Sequence, residues 1–233
     1  MISFRKIHAI MHKDAKSLLH NVFVLSGLLI VPIVAFVMNL TAEGFIMELV
    51  AMFVQMNILM NGANIICVMI AEEKEKQTLG VLKASTVSGL DFLISKLLIN
   101  LILTAIVTLG LFFMLDASQA IALGPFMIIT TVAILPVAAI GAIVGIATRT
   151  QSAASTVVAP FALIFIFLPI AIPATSPAWN VLQYLFSEQT MRGLLAIYNG
   201  ESYMSYIGII LANFAVLFVL FLLYYKKKGL ATD

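Results

Sequence analysis

Long apolar runs separated by short polar connections dominate the chain. Runs free of Asp, Glu, Lys and Arg occupy Val22–Leu40, Leu49–Ala71, Leu97–Leu115, Pro125–Ala147, Ala153–Ile172 and Tyr206–Tyr225. Each is long enough to cross about 30 Å of hydrocarbon as a helix. The apolar positions are continuous rather than alternating, which selects helices over the strands of a membrane barrel. The pattern predicts an all-α polytopic membrane protein with six transmembrane helices. Pro32, Pro136, Pro160 and Pro169 fall inside runs and are read as kinks, because neighbouring helices can satisfy the carbonyls they free.

The segment before the first run has a different rhythm. Ile7, Met11, Ala15 and Leu18 recur at helical spacing with basic residues between them. Residues 1–21 are therefore predicted to form an amphipathic helix lying on the cytoplasmic membrane surface, ahead of a transmembrane domain over 22–233. His8 and His12 stand one turn apart, but no carboxylate or Cys pattern completes a metal site, so they read as interfacial histidines. The first run is long enough to span and no small-residue cleavage site follows it, so it reads as a retained span rather than a signal peptide.

Composition agrees with a lipid-facing chain. Hydrophobic residues make up 62% and charged residues 10%, where a soluble domain carries about 25% charged. Twelve of the 13 Lys and Arg residues precede the first run, separate runs two and three or four and five, or follow the last. Arg192 alone falls on the other side. The asymmetry predicts cytoplasmic termini in a multi-pass protein of the cell membrane, with a bacterial source expected.

Several functions are excluded. The lone cysteine, Cys67, permits no intrachain disulfide. All three histidines precede the first run, so no Ser/His/Asp constellation or embedded metal site can be assembled. Nothing reads as a phosphate-cradling G-x-x-x-x-G-K-[ST] loop. Nothing points to nucleic acid. No charge lies at mid-membrane, which argues against a proton- or ion-coupled pump. A channel would show a charged pore ring or a filter sequence, and neither is present. A bulky apolar or amphipathic cargo fits better.

Two polar stripes cross the predicted membrane. Asn57, Asn61 and Asn64 share one face of the second run, and Asn100, Thr104 and Thr108 share one face of the third. They either line a substrate path or hydrogen-bond helix to helix. Gly141 and Gly145, and Gly208 with Ala212, have the small-residue spacing that permits close helix approach, including at a dimer seam. Pro173–Tyr203 carries Trp179, Tyr184, Phe186 and Tyr198 and is predicted to form short outer interfacial helices.

The segment EEKEKQTLGVLKASTVSGLDFLISK, residues 72–96, concentrates charges of both signs. It is predicted to continue the second span as a charged helix over Glu72–Lys83 and to turn at residues 85–89. Ser88 and Asp91 then form a capping box into the third span. A rigid hairpin leaving and re-entering the membrane is a surface a motor subunit could push.

This segment resembles the signature region of the ABC type-2 permease family. The matching positions are Glu73, Glu75, Thr78, Leu79, Leu82, Ser85, Val87, Ser88 and Lys96. Gln77 stands where the family often has Gly, Thr86 where it has Pro and Ser95 where it has Gly. The basic first segment, six spans and internal termini extend the likeness over the whole chain. The resemblance implies an exporter subunit that docks the turn between spans two and three on a separate ABC ATPase. It also implies pairing with a second permease chain in the lipid bilayer. ATP and Mg would belong to the ATPase, with no cofactor in this chain. Glu73, Glu75, Thr78, Leu79, Leu82, Ser85 and Val87 would couple the two chains, with Arg149, Thr150 and Gln151 of the next cytoplasmic turn beside them. Asn57, Asn61, Asn64, Asn100, Thr104 and Thr108 are the candidate substrate path. Peptide or toxin export is the expected task. Drug or lipid efflux, or an ATP-independent channel or immunity protein, are the alternatives.

Overall fold

A computed structural model describes residues 4–41, 46–78, 89–172 and 175–228. These residues form nine α-helices and one 3-10 turn at Ala117–Gln119, and no strand among them. In chain order the helices are α1 (Phe4–Leu18), α2 (Val22–Thr41), α3 (Met47–Glu75), α4 (Gly89–Met114) and α5 (Leu123–Ala147). They continue as α6 (Gln151–Ala171), α7 (Trp179–Leu182), α8 (Phe186–Tyr198) and α9 (Met204–Lys228). Six of them, α2 to α6 and α9, are long and apolar enough to cross a membrane.

α3 is the axis. It is buried along most of its length, whereas α2, α6 and α9 keep broad apolar faces outward. Such faces would be a liability in water and are the expected surface toward lipid. α5 reaches the axis closely because it presents Gly141 and Gly145: a Cβ on Gly141 would stand 2.4 Å from the Ala63 carbonyl oxygen, and one on Gly145 2.9 Å from that of Cys67. The G-x-x-x-G face therefore seats α5 on α3 within the chain. Gly208, by contrast, has open space around it.

Two segments are packed more deeply than their sequence suggests. α1 buries Ile7, Ile10, Asp14 and Leu18 and packs against α4, so its inner face meets protein. Met11 and Ala15 lie half-buried at the edge of that face. α8 buries Phe186, Thr190, Gly193 and Leu194 against α3, α5 and α9, so this helix, expected at the interface, is part of the bundle. Arg192 pairs with Glu188 at 2.6 Å and stands 5.4 Å from the Trp179 ring centroid.

The charged continuation of α3 is shorter than predicted. The helix ends at Glu75, with Lys76 as its cap and Gln77 in the left-handed region at φ 55°. Thus no unbroken helix runs over Glu72–Lys83. The physical reason is the closing turn: Lys76 N donates to Glu72 O at 2.9 Å and Gln77 N to Lys74 O at 3.1 Å. That turn consumes the last carbonyls and needs a positive φ, the conformation glycine adopts most cheaply.

Candidate functional site

α3 leaves its apolar stretch through Glu72, Glu73, Lys74, Glu75 and Lys76. Together their side chains reach α1, α4, α5 and α6. Glu73, only 2% exposed, lies 3.1 Å from Lys96 Nζ of α4. It also accepts from Lys13 of α1 and from the Thr78 hydroxyl. Lys96 is itself 1% exposed, sits 2.8 Å from the Asp14 carboxylate of α1, and lies 5.0 Å from the centroid of the Phe92 ring. One buried ammonium thus joins carboxylates from two other helices. Burial pushes the Asp14 carboxyl above its ordinary pKa, and the Lys96 ammonium opposes that push.

The flanking charges grip the remaining helices. Glu72 accepts from Ser17 of α1 and pairs with Lys76 at 2.6 Å. Lys74 donates to the Ile146 carbonyl at 2.7 Å and also to that of Thr148, at the carboxyl end of α5. Glu75 accepts from the Gln151 backbone N–H at 3.0 Å, at the amino end of α6. Cation meets the negative end of one helix dipole and anion meets the positive end of the next. Thr150 caps α6 by accepting from Ala153 N at 3.2 Å, and Arg149 stands exposed between the two helices. A cleft of about 680 Å³, lined by Lys16, His20, Asn21, Glu72, Lys76 and Gln151 among others, opens beside the cluster.

The expected coupling residues therefore divide. Glu75 and Arg149 are exposed, Thr78 is half-buried, and Glu73 is turned inward to the chain's own lysines. Leu79, Leu82, Ser85, Val87 and Ser88 lie outside the described residues. Sequence reading missed Asp14 and the pairing of Lys96 with it. The available signal was an acid at the spacing of Ile7, Ile10 and Leu18, on a face otherwise apolar.

Deeper in the bundle the polar stripes meet. Asn57 Nδ2 donates to Thr108 Oγ1 at 2.9 Å and to the Thr104 carbonyl at 3.3 Å. Asn61 Nδ2 donates to Asn57 Oδ1 at 2.7 Å, and Asn100 Nδ2 to the Gly62 carbonyl at 2.8 Å. Thr104 donates to Asn100 Oδ1 at 3.4 Å. Asn57, Asn61, Asn100, Thr104 and Thr108 are all buried, so within one chain this ladder stitches α3 to α4. Asn64 faces elsewhere, accepting from Ser155 of α6 at 2.9 Å. Asn61 and Asn64 border a cavity of about 240 Å³ between α2, α3 and α6, with Ser26 and Ser155 in its wall. Among the described residues no group of His, Cys, Asp and Glu is placed to hold a metal ion.

Comparison with known proteins supplies one family. Residues 31–226 match the family described as "ABC-2 family transporter protein". No curated protein matches the chain.

Proposed function

The chain belongs to the ABC-2 transporter family, and from that membership we propose that it is the export permease of a bacterial ATP-binding-cassette system. As a member it is the multi-pass membrane subunit of an ABC transporter, and its family implies an ABC ATPase as partner. The finer reading is outward passage of an amphipathic or hydrophobic cargo, a peptide or toxin, across the cell membrane. The power stroke would come from a separate ATPase docked at residues 72–96, and a second permease chain would complete the pathway. Both termini lie on the ATPase side in this reading, as the distribution of Lys and Arg favours.

One observation carries it. The charged run at the end of α3 is bonded to α1, α4, α5 and α6 at once. A displacement applied just beyond that run, from Thr78 onward, is delivered to those helices together. A passive anchor has no use for such a junction, whereas a permease driven from outside needs one. In this reading Glu75, exposed within the run, and Arg149, exposed beside it, would meet the partner.

The test is a mild-detergent pull-down of the tagged full chain from its native membrane, with nucleotide turnover measured on the eluate. A stoichiometric nucleotide-hydrolysing chain is expected. Leu79→Asp and Leu82→Asp should each lose that partner while the permease still inserts. An eluate without any nucleotide-binding chain, or full retention by both variants, would overturn the proposal.

A further inference from the structure

At the end of the bundle away from the termini, α3, α6 and α8 enclose a second cavity of about 280 Å³. Glu48, Leu49 and Met52 of α3, Ile166 of α6 and Met191 of α8 form much of its wall, and Gln55 forms the rest of the α3 side. Apart from Glu48 and Gln55 the walls are apolar. Gln55 is 6% exposed, yet its Oε1 accepts no hydrogen bond from any described residue. A buried amide oxygen left without a donor is costly, and a ligand that brings an N–H would satisfy it.

Charge at this end points to the kind of ligand. Glu48 is exposed at the cavity and forms no ion pair among the described residues. Glu48, Asp116, Glu188 and Glu201 all lie toward this end, and Arg192, its only described cation, is already held by Glu188. Glu48 and Gln55 are seven residues apart on one helix, so their side chains share a face about 10 Å apart along it. A guest reaching both carries a cation and an N–H donor on an apolar body of that length. Two methionines in the wall suit a guest of variable shape, since their side chains repack easily.

We propose that this cavity is a binding subsite for cationic amphipathic peptides: Glu48 draws the peptide's ammonium group at the mouth, and Gln55 Oε1 accepts an N–H from it at depth. The role as a cargo subsite rests on the exporter reading. The binding itself does not, because it is measured on the permease chain without any ATPase.

The chain is reconstituted in zwitterionic nanodiscs and titrated with a fluorescent eight-residue lysine–leucine peptide, with empty nanodiscs as blank. A glutamate–leucine peptide of the same length is the control. The cationic peptide should bind saturably and the anionic one should not. Gln55→Leu should weaken binding about tenfold while raising the thermal midpoint, since it removes an unsatisfied buried oxygen. A merely structural glutamine would lower that midpoint. Glu48→Gln, on an exposed side chain and so safe for folding, should weaken binding several-fold and flatten its salt dependence. Equal binding of both peptides, or affinity unchanged in Glu48→Gln or in a folded Gln55→Leu, would overturn the proposal.

Discussion

α3 and α4 are joined twice, and the two joints are built from different chemistry. Near the termini the joint is ionic: Glu73 and Asp14 close on Lys96. In the middle of the bundle it is neutral: Asn57 with Thr104 and Thr108, and Asn100 with the Gly62 carbonyl. The difference follows the solvent. Charges are kept where chain ends and loops bring water, and even there they are paired on burial. Where lipid surrounds the helices, only amides and hydroxyls are used, since a charge there would be far more expensive. Both joints are buried, so burial alone does not set the choice.

Breaking each joint separately should expose that difference. Lys96→Met leaves the carboxylates of Asp14 and Glu73 buried without their shared cation. It should cost about 3–5 kcal/mol and drop the thermal midpoint in mild detergent sharply. Combining it with Asp14→Asn and Glu73→Gln should recover much of that loss. An equal loss in the triple variant would mean that the cluster acts through shape and not charge. The neutral joint should be weaker. Asn57→Leu should cost only about 1–2 kcal/mol, read as a smaller shift of the same midpoint and without dependence on salt. The smallest effect lies just past the ionic joint. Gln77→Gly relieves a side chain held at φ 55° and should stabilise the chain by about 1 kcal/mol; a fall in midpoint would show that the glutamine side chain has a role of its own.

The six spans were legible because the hydrophobic effect writes them as uninterrupted runs. The helices overshoot the runs where charge begins: α3 extends to Glu75 and α4 starts at Gly89 rather than Leu97. Backbone hydrogen bonding continues past the point where hydropathy stops, so hydropathy marks the lipid and not the helix. The hairpin was less readable. The acidic residues of 72–76 looked like a surface for a partner, but Glu73 answers to Lys13 and Lys96, which stand 60 and 23 residues away. Long-range pairing of this kind leaves no local period in the sequence. The stop at Gln77 did leave a trace, since the family resemblance implied a glycine there and a positive φ suits glycine best. The polar stripes were found by spacing, yet spacing alone did not say that Asn57 and Asn61 meet each other while Asn64 turns to Ser155. The amide of Gln55 carried no signal, because one polar residue in an apolar run is ordinary until its lack of a partner is seen.

The pairing of Asp14 with Lys96 also has a consequence in time. The two residues are 82 positions apart. A ribosome adding roughly 5–20 residues per second makes the acid on the order of ten seconds before its base. During that interval the Asp14 carboxylate has no cation from α4 to meet, and its preference for water would hold the first helix at the membrane surface. Lys96, once made, would keep to the water at the entrance of its span until that acid is within reach. Once Asp14 reaches it, the same ammonium becomes the latch that closes the newborn bundle.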